Sequence, residues 1–281
     1  MEYTTFDLTI NQHVAHLRFN RPQEYNTMSV VFWQEFPRAI KAINEGAQAR
    51  VLVISGEGKH FCAGMDLAVF TSGAIKRPTD PARANEHMRQ LVLQLQAIIS
   101  SVENMRIPVL AAIQGGAVGG ALDLVCACDC RYMSKDAFVS IEEIRLGMAA
   151  DLGTLQRLPR LIAPGLAKEL AYTGRRLLSQ EALNCGLVNQ VFDDAETMLA
   201  AVMTLAQTIA SHSPLAVHSC KEIINYGLDN NIANALNYQA TWQAGMLQPE
   251  VDMMEAMTSK GQKRAPKYDD LTPTDSAFIS S

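Results

Sequence analysis

The chain has 281 residues, 48 % of them apolar and 19 % charged, a balance that fits a soluble protein with a substantial core and excludes disorder of the whole chain. Its 24 Lys and Arg against 29 Asp and Glu leave a net charge of -5, which offers no general attraction to nucleic-acid backbones or anionic membranes. The most apolar stretch, 109–128, is broken by Gln114, four glycines and Asp123, so it makes a poor membrane span.

Strand-like runs at 6–10, 14–19 and 51–55 are separated by turn-forming residues, and a helical pattern over 29–44 lies before the third, with Ser29 placed to cap it. A second round follows: a long helix over about 85–102, a buried strand at 108–113, glycine punctuation, another helix, and strands near 131–133 and 137–139. This order predicts a mixed α/β core over 1–195. Strand signals then vanish, and helices over 196–212, 214–228 and 232–257 predict a C-terminal helical region, 196–262, ahead of a flexible tail at 263–281. The last helix carries Leu236, Trp242, Met246, Met253, Met254 and Met257, apolar surface suited to a neighbouring subunit or to the core. The loop over 71–83 reads as mobile. The first residues lack the basic and apolar regions of a secretory signal, and the six cysteines lack disulfide-scaffold spacing, so reduced thiols in a cytoplasmic setting are expected.

Three segments carry candidate chemistry. The first, Gly56 to Leu67, follows a strand end and includes Ala63, Gly64, Met65, Asp66 and Leu67; its glycines can bare backbone N–H groups to a ligand, or simply make a turn. The second, Gln114 to Asp123, opens a helix with Gly119 and Gly120, and a glycine-bared helix start can hold an anion or pack tightly on a strand. The third is a set of acids, Asp123, Glu143 and Asp151, in unusually apolar surroundings; buried carboxylates need partners or a raised pKa. Duller roles exist for each, as helix-start residues for Asp123 and Asp151 and as a surface partner of Arg145 for Glu143. Cys126, Cys128 and Cys130 lack zinc-type spacing, and no metal is expected.

Together these segments resemble the enoyl-CoA hydratase/isomerase (crotonase) superfamily. The match runs from Phe19-Asn20-Arg21-Pro22 and Asn26, through Phe61-Cys62-Ala63-Gly64-Met65-Asp66-Leu67 and Gly119-Gly120-Ala121-Leu122-Asp123, to Thr154-Leu155-Gln156-Arg157-Leu158-Pro159 and Leu187-Val188-Asn189. Within the superfamily, Asp at 123, Glu at 143 and the run Ala149-Ala150-Asp151-Leu152-Gly153-Thr154 are similar to the Δ3,5-Δ2,4-dienoyl-CoA isomerases, whereas hydratases usually carry Glu at the first position and a small residue at the third.

The resemblance implies a spiral of β-β-α units with a helical C-terminal part that builds trimers, often paired into hexamers. It implies an acyl-CoA thioester as substrate, with coenzyme A entering as part of the substrate and no separate cofactor. The N–H groups of Met65 and Gly120 would hold the thioester oxygen, with Ala63, Gly64, Asp66 and Leu67 beside the substrate. Asp151 would be the base at C2 and Glu143 the acid at C6, with Asp123 holding or tuning the proton of Glu143, in the isomerisation of 3,5- to 2,4-dienoyl-CoA during fatty-acid β-oxidation. A 2-enoyl-CoA hydratase, for which Asp151 is dispensable, is the nearest alternative. A non-catalytic acyl-CoA- or RNA-binding relative is a further one, its RNA form disfavoured by the acidic balance.

Overall fold

The computed structural model describes residues 2–71, 73, 75, 78–245 and 247–274, with the side chain of Phe70 left aside. Ser72, Ala74, Lys76 and Arg77 of the 71–83 loop, Met246, and 275–281 of the expected tail lie outside the described residues.

The chain begins with an antiparallel hairpin, β1 (Phe6–Asn11) and β2 (Val14–Phe19). Its two turn residues, Gln12 and His13, both take positive φ (49° and 63°), the handedness that matches strand twist. Helix α1 (Val30–Gly46) starts where expected: Ser29 Oγ accepts from the Phe32 N–H at 3.3 Å, and Phe32, Trp33, Phe36, Ala39, Ile40 and Ile43 form its buried stripe. Then come β3 (Val51–Gly56), the short α2 (Ala68–Thr71) and α3 (Pro81–Glu103), which Asp80 caps four residues ahead of the expected start. The next unit is β4 (Val109–Ile113), β5 (Gly116–Val118) and α4 (Gly120–Ala127), followed by β6 (Cys130–Ser134), β7 (Phe138–Ser140), α5 (Thr154–Leu161) and α6 (Pro164–Thr173). The core closes with β8 (Leu177–Leu178), α7 (Ser179–Asn184) and β9 (Gln190–Phe192).

The α/β architecture expected from the element order is the one that forms. The main sheet runs β1-β2-β3-β4-β6-β9, parallel after its first pair, and β5-β7-β8 make a second, smaller sheet. β4 and β5 are adjacent in sequence but belong to different sheets, so the chain turns a corner at Gly115, where φ is +53° and a side chain would meet the Lys59 carbonyl oxygen. That corner directs the glycine segment toward the mouth of the first loop.

Helix α8 (Ala195–Ala210) covers one face of the main sheet, burying Met198, Val202, Ala206 and Ala210 against Val14, Val51, Val53 and Leu110. Helix α8, the first of the expected C-terminal helices, is thus a layer of the core, and the helices that follow it are α9 (Pro214–Asp229), α10 (Ile232–Gly245) and α11 (Glu250–Gly261). The single helix expected over 232–257 is two, because Pro249 lacks an N–H and disfavours helix before it. α10 joins α9 through stacked Tyr226 and Tyr238 rings, 3.9 Å apart, and a Trp242 Nε1 hydrogen bond to Ser219 Oγ of 2.9 Å. Ile232, Leu236, Val251, Met253, Met254 and Met257 are all exposed in the single chain.

The segment expected to be a flexible tail differs as well. Up to Thr274 it lies across the core: Leu271 is buried, Arg50 donates to Tyr268 O (2.6 Å) and Asp270 Oδ1 (2.7 Å), and the Thr274 N–H bonds Glu45 O (2.9 Å). One apolar side chain and one buried guanidinium at a sheet end hold it, a pairing its mixed polar composition does not advertise.

Candidate active site

The site lies where residues 61–67 pass between 25–28 and 116–118. Cys62 N–H bonds Gly116 O (3.1 Å) and the Val118 N–H bonds Cys62 O (3.1 Å) on one side. On the other, Ala63 N–H bonds Tyr25 O (3.0 Å), Met28 N–H bonds Gly64 O (2.8 Å) and Asp66 N–H bonds Met28 O (3.2 Å). This weave uses the neighbouring N–H groups and leaves that of Met65 without a hydrogen bond among the described residues. Gly120 is the first residue of α4, so its N–H has no acceptor within the helix, and among the described residues it too has no partner. The two come together: a Cβ on Gly120 would lie 3.7 Å from Met65 N, and one on Gly64 would lie 3.3 Å from Gly120 N. Gly64 (φ +86°) permits this approach, since any side chain there would meet the Val118 carbonyl oxygen.

Residues outside the expected set brace this arrangement. Asn26, buried, accepts from the Arg21 N–H and donates to the carbonyls of Glu57 and His60, each at 2.9 Å, fixing the loop after β3. His60 Nδ1 accepts from the Gly116 N–H at 2.9 Å, and Trp33 Nε1 donates to Met65 Sδ at 3.2 Å. Of the expected substrate-binding residues, Asp66 accepts from the Ala68 N–H (2.9 Å) and so caps α2, while Leu67 is exposed.

Three carboxylates belong to this region: Asp123 and Glu143 at the start of α4, and Asp151, whose charge acts on both. Asp123, one turn into α4, is fully buried; its Oδ1 accepts from the Thr154 N–H at 2.5 Å and its Oδ2 has no partner among the described residues. Burial, reinforced by the charge of Asp151 and opposed by Thr154, pushes its pKa up to about 6. Glu143 opens a 3-10 turn at Glu143–Leu146, and its carboxyl lies over Gly119, where a Cβ would be 3.0 Å from Oε1. Its Oε2 is buried without a partner among the described residues, and burial together with Asp123 and Asp151 raises its pKa to about 7. Asp151 is exposed as a residue, yet enough protein surrounds its carboxyl to raise its pKa too. It lies two residues before Gly153, which holds the cap position ahead of α5, and so does not cap that helix; Gln96 of α3 donates to its carbonyl at 2.6 Å. Arg145, the surface partner considered for Glu143, lies 3.6 Å from Glu142 instead.

The two expected N–H donors and the Glu143 carboxyl thus meet at the start of α4, which also carries Asp123, and Asp151 is near enough for its charge to act on both other acids. Thr154, Gln96 and Trp33 escaped the sequence reading because their side chains matter only through contacts across the fold. Among the described residues no group of three or more His, Cys, Asp and Glu is arranged to hold a metal ion.

Residues 9–271 match the enoyl-CoA hydratase/isomerase family model. The chain belongs to that family. It is 42 % identical over 255 residues to the mitochondrial Δ(3,5)-Δ(2,4)-dienoyl-CoA isomerase of Pongo abelii, covering 90 % of this chain and 77 % of that one. It is 40 % identical to the peroxisomal Δ(3,5)-Δ(2,4)-dienoyl-CoA isomerase of Arabidopsis thaliana, covering 91 % and 92 %. Among solved structures, the enoyl-CoA hydratase of Bacillus anthracis superposes with a TM-score of 0.84 at 33 % identity, covering 94 % of this chain and 99 % of that one. Family membership and these relatives make the chain an enzyme of the isomerase type within the family.

Proposed function

We propose that the enzyme converts 3,5-dienoyl-CoA to 2,4-dienoyl-CoA by proton transfer between two carboxylates, as the names of its 40–42 % identical relatives suggest. The observation that carries this reading is the third acid. A hydratase-type pair would need only Asp123 and Glu143, whereas Asp151 supplies a separate carboxylate whose charge reaches both of the others.

In the proposed reaction Asp151 removes a proton from C2. The electron pair left behind delocalises over C2 to C6 and the thioester oxygen, while Met65 N–H and Gly120 N–H bond the developing enolate. Glu143, which burial keeps protonated to about 7, delivers its proton to C6, so that the double bonds come to rest at C2 and C4. Loss of one such backbone donor typically costs about 10²–10³ in rate. The thioester pantetheine lies along residues 63–67 in this reading, and the exposed apolar residues of α10 and α11 join subunits into trimers or pairs of trimers.

The test is an ultraviolet assay with a 3,5-dienoyl-CoA and, separately, a 2-enoyl-CoA. Growth of the conjugated dienoyl absorbance is expected, falling by about 10³ in a folded Asp151→Asn variant, within the usual general-base contribution of about 10²–10⁴. Hydration of the 2-enoyl-CoA alone, unaffected by Asp151→Asn, would overturn the isomerase assignment.

A further inference from the structure

We propose that Thr154 is a proton-positioning residue: with its N–H and its hydroxyl together it holds Asp123 as the ionised member of the buried acid pair, leaving the transferable proton on Glu143. The catalytic consequence rests on the isomerase reading above, but the placement of the proton can be measured without it.

Thr154 is 1 % exposed and Asp123 is fully buried, and the two are already joined by the 2.5 Å bond from the Thr154 N–H. Three oxygens in this place, Asp123 Oδ2, Glu143 Oε2 and Thr154 Oγ1, are buried without a hydrogen-bond partner among the described residues. A buried hydroxyl that bonds nothing is disfavoured, and valine would fill the same volume without that cost. The hydroxyl lies near enough to Asp123 to oppose the rise that burial imposes on its carboxyl, although its geometry in the free protein falls short of a full hydrogen bond. A change of the Thr154 χ1 rotamer, which moves the oxygen itself, can close that gap.

The two acids are unequally served. Asp123 accepts one N–H bond from Thr154, whose own hydroxyl is buried without a partner among the described residues, at the start of α5, where helix N–H groups favour an anion. Glu143 Oε2 has no partner among the described residues, and the charges of Asp123, Asp151 and Glu142 all favour the protonated form of Glu143. Other charges near Asp123 are Asp151, which raises its pKa, and Arg157 of α5, which lowers it. Arg157 is itself committed to Glu103 (2.7 Å) and Ser100 (2.9 Å) of α3, so the uncommitted donor beside Asp123 is the Thr154 hydroxyl. Two carboxylates whose charges act on each other share the cost of ionisation, and the better-bonded one carries the charge.

The experiment follows the Asp123 carboxyl by carbon-13 NMR in the full chain with labelled aspartate, the signal being identified by its loss in Asp123→Asn. In Thr154→Val the Asp123 midpoint is expected to rise by about one pH unit, and kcat for the dienoyl-CoA to fall about 10-fold with KM within about twofold. Thr154→Ser, which keeps the hydroxyl, should restore both, and Thr154→Ala gives the same comparison if the valine variant does not fold. An unchanged Asp123 midpoint in a folded variant lacking the hydroxyl overturns the inference, whatever its activity. A shifted midpoint in a protein whose wild type leaves the dienoyl-CoA untouched would instead uphold the proton placement and sink the isomerase reading.

Discussion

Glu143 is ordinarily an acid with a pKa of 4.5, and in the folded protein burial beside two like charges raises it to about 7. A carboxyl raised on folding stays protonated in the native state after the unfolded chain has released its proton. Between pH 4.5 and about 7 the native state therefore binds more protons than the unfolded one, and stability falls as pH rises through that window. Glu143→Gln, the same shape without the charge, is expected to flatten this part of the stability curve, as followed by thermal unfolding from pH 4 to 8. An unaltered slope would mean that the carboxyl is better solvated than its buried Oε2 implies. Under the proposed reaction the same group predicts a basic limb: the rate falls above about 7, as the proton that Glu143 would deliver to C6 is lost.

At the scale of elements, the start of α4 is the exacting part. Gly119 has φ 55° and ψ -122°, a conformation that other residues rarely adopt, and its N–H bonds Ser140 O at 2.9 Å. Gly119→Ala would set a methyl 3.0 Å from Glu143 Oε1 as well as straining the backbone. The expected result is a folded protein less stable by about 1–3 kcal/mol, the usual cost of one such residue, with kcat reduced by about 10² or more because both Glu143 and the Gly120 N–H move. Denaturant unfolding and steady-state rates measured on the same preparation separate the two effects. The pattern of glycines marked this segment in the sequence. That it changes sheets at Gly115, and so faces the 61–67 loop, required the pairing of β5 with β7.

For the whole molecule, the peripheral helices are tied to the core by a buried charge pair. Lys221 of α9 is 8 % exposed and donates to Asp129 Oδ2 (2.8 Å) and to Ile107 O (3.0 Å), at the ends of strands that lead into the site. Asp129 also accepts from the Val109 N–H at 2.6 Å. Lys221→Ala would leave that carboxylate buried without its cation, which typically costs about 3–5 kcal/mol. Urea unfolding is expected to register this loss, and Asp129→Asn combined with Lys221→Ala should recover part of it. If the double variant is no better than the single one, the pair is not coupled as drawn.

The sequence alone determined the elements whose signals are local. The apolar stripe of α1 behind Ser29, the strands at 14–19, 51–56 and 109–113, and the acids set in apolar surroundings were legible because periodicity, capping and composition act over a few residues. The resemblance carried by short motifs extended this to the expected places of Met65, Gly120 and the acid trio. Only the tertiary structure decided what depends on distant parts of the chain meeting. It put α8 on the sheet rather than among the outer helices, seated Leu271 and Asp270 against the core, and brought Thr154 to Asp123 across 31 residues. Packing of this kind is set by which apolar faces and buried charges find one another over long loops, and no local pattern encodes that choice.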